Sequence, residues 1–291
     1  METINLMALR HSAFYSPYLM TFVESFLKDE GLKAEYKVAT PDCQVDQSIL
    51  DGSCHVSQSA VATRFADLEA GKPSDIVHFA QINERDGFYL AAREQDENFS
   101  WTKLIAKDVL VDHFFQPHAM FSYALKKLGI AESDLNVIDV GDVNQIEKAF
   151  REGQGDYVHM QGPYLQQLEA DGLGYVVASV GEVIGPVAFS SLCCHRNWLD
   201  TDMSKAFAKA YKKSMSYVNS APAAEIARKQ IEANLFPGID INVLTETISG
   251  YQKLGCWNED TDVSKQSFDA LVDVFLSSGY IKNRYTLNQI S

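Results

Sequence analysis

The chain has 291 residues, 46% hydrophobic and 22% charged, the balance of a globular protein long enough for two lobes with a core each. A net charge of -14 and a pI near 4.9 exclude the basic footprint of a nucleic-acid-binding domain. No apolar run reaches the roughly 18 residues that a membrane-spanning helix needs. The five cysteines, Cys43, Cys54, Cys193, Cys194 and Cys256, are odd in number and include an adjacent pair, so reduced thiols are expected rather than a disulfide framework.

Met1-Glu2-Thr3 runs straight into a strand-like segment at 4–9, without a basic n-region, apolar h-region or cleavage site. The expectation is a cytoplasmic protein as the sequence stands, or a periplasmic one if an export signal has been removed. A polar, aromatic loop covers 10–16, and Pro17 suits the first turn of a helix. Leu19, Phe22, Val23, Phe26 and Leu27 recur at helical spacing, and Gly31 ends that helix. Residues 33–39 alternate as a strand, 45–50 form a short helix, and 54–56 a brief strand. Ser57-Gln58-Ser59 is placed to cap a helix over 60–70, and strands follow at 76–81 and 88–93.

The pattern then begins again: strand 109–111, loop 112–118, helix 119–128, Gly129, strand 137–140, helix 143–151, Gly153, strand 156–160 and helix 164–170. This is a weak internal repeat, and it predicts two similar α/β lobes with parallel sheets. A strand at 187–194 leads into a helical tail, with helices at 205–218, 222–234, 241–254 and 265–277, of the kind that covers one lobe. The predicted lobes are 1–87 with 186–291, and 88–185, joined by crossing strands near 84–90 and 182–190.

Four stretches carry a family resemblance. They are Phe26-Leu27-Lys28-Asp29-Glu30-Gly31-Leu32, Ile49-Leu50-Asp51-Gly52-Ser53-Cys54-His55-Val56, Asp86-Gly87-Phe88-Tyr89-Leu90-Ala91-Ala92-Arg93, and Gly155-Asp156-Tyr157-Val158 followed by Gly162-Pro163-Tyr164-Leu165. In this order and spacing, across 4–280, the chain resembles the type II periplasmic binding proteins, in the branch of sulfonate-binding and thiamine-pyrimidine-precursor proteins. It departs where most members have an acidic or aromatic residue before the Pro-Tyr pair; here Gln161-Gly162 stands.

The resemblance implies two Rossmann-like lobes that close on a small organic or anionic solute, often handed to an ABC-type transporter permease. It also implies a monomer, with no cofactor and no catalytic residues. Carried onto this chain, its cleft loops supply Arg10, His11, Ser12, Tyr15, Ser57, Gln58, Ser59, Asn83, Asp86, Phe115, Gln116, His118, Gln161 and Gly185 as ligand-binding candidates.

The residue types fit that role. Arg10 can pair a sulfonate, carboxylate or phosphate, and Ser57, Ser59 and Gln116 can donate. Tyr15, Phe114 or Phe115 can stack on a ring, though adjacent aromatics point apart and at most one of the last two faces the cleft. The ligand is a small anion, an aromatic ring, or both.

Each signal has a plainer reading beside it. Ser57 and Ser59 also fit as helix caps, and Arg85 and Asp86 as a mutual pair. His55, His78 and His159 read as strand residues rather than functional ones. His113 and His118 lack a third metal ligand at suitable spacing, and Cys193-Cys194-His195 reads as a strand burying one small Cys.

An enzyme or ligand sensor of the same fold is the alternative. Where the pyrimidine synthase of thiamine biosynthesis has a Lys and a His, Ser59 and Thr63 stand here, and only Cys193-Cys194 echoes its cysteine-rich run. The desulfinase of the superfamily needs a cleft cysteine, and the candidate loops have none. The motifs of the menaquinone-pathway group match less well than those of the binding branch.

Overall fold

The structure, a computed structural model, describes residues 1–290. In chain order its strands are β1 (Glu2–Ala8), β2 (Leu32–Val38), β3 (Val56–Ser59), β4 (Ile76–Asn83), β5 (Phe88–Ala92), β6 (Asp108–Val111), β7 (Asn136–Ile138), β8 (Tyr157–Gln161), β9 (Tyr175–Ser179) and β10 (Ser190–His195). The helices are α1 (Ser16–Val23), α2 (Phe26–Asp29), α3 (Val45–Leu50), α4 (Phe65–Glu69), α5 (Phe115–Lys127), α6 (Val143–Arg151), α7 (Tyr164–Ala170), α8 (Val180–Ile184), α9 (Asp202–Ser220), α10 (Ala223–Glu232), α11 (Ile241–Leu254) and α12 (Lys265–Ser277). None is long and apolar enough to cross a membrane.

The strands make two five-stranded sheets with one shared plan: β2-β1-β3-β10-β4 and β7-β6-β8-β5-β9. In each, a central strand pairs in parallel with the two that follow it in its repeat. The internal repeat seen in the sequence is therefore real, but the sheets are mixed rather than parallel. β10 runs antiparallel to β3 and β4, and β5 antiparallel to β8 and β9. Both are the strands that follow a crossing between sheets, so each enters its sheet against the direction of its neighbours.

Several local expectations give way. Ser57, Gln58 and Ser59 lie inside β3 and cap no helix; a 3₁₀ turn at Val61–Arg64 comes before the short α4. The helix expected from Leu19 to Leu27 breaks at Glu24, whose extended backbone separates α1 from α2. α5 starts at Phe115, so Phe115, Gln116 and His118 are helical rather than on a loop. The strand expected at 187–194 begins only at Ser190, because the three residues before it form the return crossing. β9 and α8 carried too little pattern to be read.

The two crossings run side by side. Val187 N donates to Glu84 O at 2.9 Å and Phe189 N to Asn83 O at 3.1 Å. Gly181 packs against them. A Cβ there would sit 2.2 Å from the Asp86 carbonyl oxygen, which is backbone and cannot swing aside. Gly181→Ala is expected to cost about 1–3 kcal/mol through overpacking, read as a lower denaturant midpoint at unchanged slope.

The helical tail spans both lobes instead of covering one. α9 packs on α1 and α2 beside the first sheet, whereas α11 packs on α7 and α12 on α5, beside the second. Tyr251 of α11 fixes the second lobe by accepting from Gly162 N at 2.9 Å, and Lys126 Nζ donates to Ser277 Oγ at 2.9 Å. Side-chain caps start these helices: Thr201 for α9, Asp240 for α11 and Ser264 for α12, each worth about 1 kcal/mol.

Candidate ligand cleft

A cleft of about 960 Å³ lies between the sheets, within the size range of small-molecule sites. It is lined by the segments that follow β1, β2 and β3 of one sheet and β6, β7 and β8 of the other. These are the carboxyl ends of the strands, where open α/β sheets bind ligands. Inward the cleft continues into an aromatic recess of about 50 Å³ bordered by Tyr15, Phe88, Phe114, Phe115, Phe189, Gln116 and Gln161.

The segment after β1 meets the second lobe directly. Arg10 Nη1 lies 2.8 Å from Asp112 Oδ2, and the guanidinium carbon sits 4.4 Å from the centroid of the Phe114 ring. Arg10 N is held by Gln58 Oε1 at 3.2 Å. Ser12 Oγ donates to Gly162 O at 2.9 Å. Tyr15 is buried beside the cleft, and burial pushes its phenol up to about 12, opposed by the nearby Arg10 charge.

The cleft's second cation, Arg64, contacts Asp46 through Nη2 and Asp67 through Nη1. Both arginines of the lining thus already face carboxylates.

The floor carries polar atoms without protein partners. These are Gln116 Oε1, Gln161 Nε2 and both ring nitrogens of His159, all buried. Gln116 is oriented by its Nε2, which donates to Phe189 O at 2.7 Å. Buried polar groups are nearly always paired, so an unpaired set around one cavity marks where a ligand's own groups belong.

Nine of the fourteen candidates border this space: Arg10, His11, Ser12, Tyr15, Gln58, Ser59, Phe115, Gln116 and Gln161. His11 is turned toward its own lobe, with Nδ1 2.8 Å from Tyr36 Oη and Nε2 2.7 Å from Leu235 O. Phe115 leans on Phe275 and Tyr280, each 4.9 Å away between centroids, so of the adjacent pair it is Phe114 that, with Phe88, borders both cleft and recess.

The other five lie elsewhere. Ser57 is wholly buried and donates to Gln58 O. Asn83 braces the Phe14 carbonyl and accepts from Ser190. His118 stacks on His113 and contacts Glu132 at 2.8 Å. Gly185 takes φ +83° in the return crossing. Asp86 accepts from Phe88 N inside the hinge, while Arg85 reaches toward Gly181 O, so the two do not pair.

Sequence reasoning missed Phe88, Asp112, Arg64 and His159 as lining residues. None of the five cysteines borders the cleft, and Cys193 and Cys194 are both buried in β10.

Two sheets of identical order, two crossings and a cleft at the strand ends define a two-lobed protein with the periplasmic-binding-protein fold. A family model described as "NMT1/THI5 like" matches residues 15–225, and the chain belongs to that family. It is 26% identical to the "Putative binding protein YtlA" of Bacillus subtilis (strain 168), across 99% of this chain and 86% of that one. Among solved structures it resembles the periplasmic aliphatic sulphonate binding protein SsuA of Escherichia coli, with TM-score 0.76 and 12% identity over 100% of this chain and 92% of that one. It also resembles the periplasmic nitrate-binding protein NrtA of Synechocystis PCC 6803, with TM-score 0.69 and 13% identity over 97% and 82%. At such identities the likeness is one of fold.

Proposed function

We propose that the chain is the ligand-binding component of an ABC-type uptake system, a monomer that closes over a small planar organic solute and delivers it to a permease. Its moving bodies are 1–87 with 186–291, and 88–185. Service to a permease would place it outside the cytoplasmic membrane. α11 and α12 touch both bodies, so closure is a small sliding motion along α7 and α5 combined with bending at the paired crossings.

One observation carries the ligand class. The cleft's arginines are already ion-paired, whereas its unpaired polar atoms are amide and imidazole groups set among Phe88, Phe114 and Tyr15. That combination suits a ring with hydrogen-bond donors and acceptors better than a free oxyanion, which would have to break an ion pair to find a full charge.

Thermal unfolding against ethanesulfonate, nitrate, benzoate, uracil and thymine tests this. A ligand at about 100 times its Kd adds roughly 2.7 kcal/mol, a shift of several degrees. The expected result is a raised midpoint with uracil or thymine, each recovered chemically unchanged. Chemical conversion of the ligand would make the chain an enzyme, and a response to the oxyanions alone would overturn the ligand class.

A further inference from the structure

His159 stands apart from every other histidine. It is fully buried on β8 yet borders the cleft, and neither ring nitrogen has a protein partner. Its faces are occupied. Phe88 stacks on one side with centroids 4.7 Å apart and planes 25° apart, and Phe121 lies 5.0 Å away. These contacts hold the plane of the ring, and its two buried nitrogens are left without a partner.

The repeat gives its position a counterpart. In the first sheet Gln58 pairs with Ala8, the last residue of β1; in the second His159 pairs with Val111, the last residue of β6. The cleft end of each sheet's third strand thus carries a hydrogen-bonding side chain. Gln58 spends its amide on Arg10 N and Ser59 O. His159 spends nothing.

We propose that His159 determines which ligand charge the cleft accepts: its uncharged imidazole hydrogen-bonds a neutral ring directly, and it takes an anion only together with a proton from solvent. This rests on the binding reading above.

The surroundings support it. Burial holds the ring down to about 3; Asp112 after β6 works against it, and His118 and His113 add to it. The Arg10 charge that could serve an anion is bound to Asp112. A neutral ring needs no proton. An anion at the imidazole edge supplies the counter-charge that lets the ring protonate, so its binding is linked to uptake of one proton.

The test compares uracil with orotate, which is the same ring carrying a carboxylate, by calorimetric titration from pH 5.5 to 8. Uracil affinity is expected to stay flat. Orotate is expected to bind more weakly at neutral pH and to gain close to tenfold for each pH unit lowered, with proton uptake visible as a buffer-dependent heat. His159→Phe keeps the stack and removes the edge, and should lose uracil affinity about tenfold or more. His159→Gln restores a donor and an acceptor and should recover part of it.

Ligand-free unfolding of both variants checks the fold. If His159→Phe fails to fold, His159→Gln with its own pH profile decides. Orotate binding without pH dependence, or uracil binding unchanged in the variants, would overturn the role of His159 while leaving the binding reading intact. If neither ring binds wild type and the panel is silent, the binding reading falls and this inference with it.

Discussion

Asp86→Asn is expected to make the protein more stable at pH 8 and nearly neutral in effect at pH 4. The Asp86 side chain is fully buried in the crossing between lobes. Oδ1 accepts from Phe88 N at 2.6 Å, but Oδ2 has no partner. Burial pushes its carboxyl up to about 8, opposed only by that one backbone hydrogen bond. In an unfolded chain an aspartate titrates near 3.9, so between those two values the folded state holds a proton that the unfolded state has lost.

Stability therefore falls as pH rises through this window, the reverse of an ordinary paired carboxylate. At about 1.36 kcal/mol per pKa unit, four units set an upper bound of roughly 5 kcal/mol on the penalty at pH 8. Asparagine keeps the Oδ1 acceptor and never ionises. Urea midpoints of wild type and variant at pH 4, 6 and 8 should diverge steadily in favour of the variant. A difference that does not change with pH would mean that Asp86 is charged in the folded protein.

The sequence carried the architecture well because the repeat left physical marks. Gly31 and Gly129 both adopt positive φ just past a helix, and Gly52 and Gly153 do the same one unit later. Those four positions alone align the two halves. β10 and β5 were legible as strands, but their direction was not, since an apolar run has no polarity along the chain. Ser57 and Ser59 misled for a related reason: a serine before a helix and a serine in a buried strand look alike until the strand's neighbours are known.

The site was harder. Arg10, Ser12 and Tyr15 came from the loop after β1 that the family resemblance assigns to the cleft, and for Arg10 the exposed loop after a buried strand argued the same way. His159 was not readable, because a histidine on an apolar strand is usually a satisfied one. Aligning the repeat would have found it, since it occupies the place of Gln58. Asn83 and Asp86 were polar residues in the right region, and they serve the hinge rather than the cleft.

The ion pair of Arg10 with Asp112 is the contact whose loss should change ligand affinity most. Each residue follows the first parallel strand of its own sheet, β1 or β6, so the pair joins corresponding points of the two lobes. The Asp112 side chain is 4% exposed and that of Arg10 30%. Truncating one partner of a wholly buried pair costs about 3–5 kcal/mol, and solvent on the guanidinium brings the expected figure here to about 2.

That energy acts on the closed arrangement. If the closed state becomes about 30-fold rarer, apparent affinity for any ligand that needs closure falls by a similar factor. Arg10→Ala should thus weaken uracil binding about 30-fold and raise the radius of gyration of the free protein in small-angle scattering. Asp112→Ala removes the other half and should do much the same. The double variant should lose far less than the sum, because the second truncation removes a charge already left without its partner. Additive losses in that cycle would show that the two residues act on the ligand separately, and that the lobes are held together by Ser12 and Tyr251 at Gly162 instead.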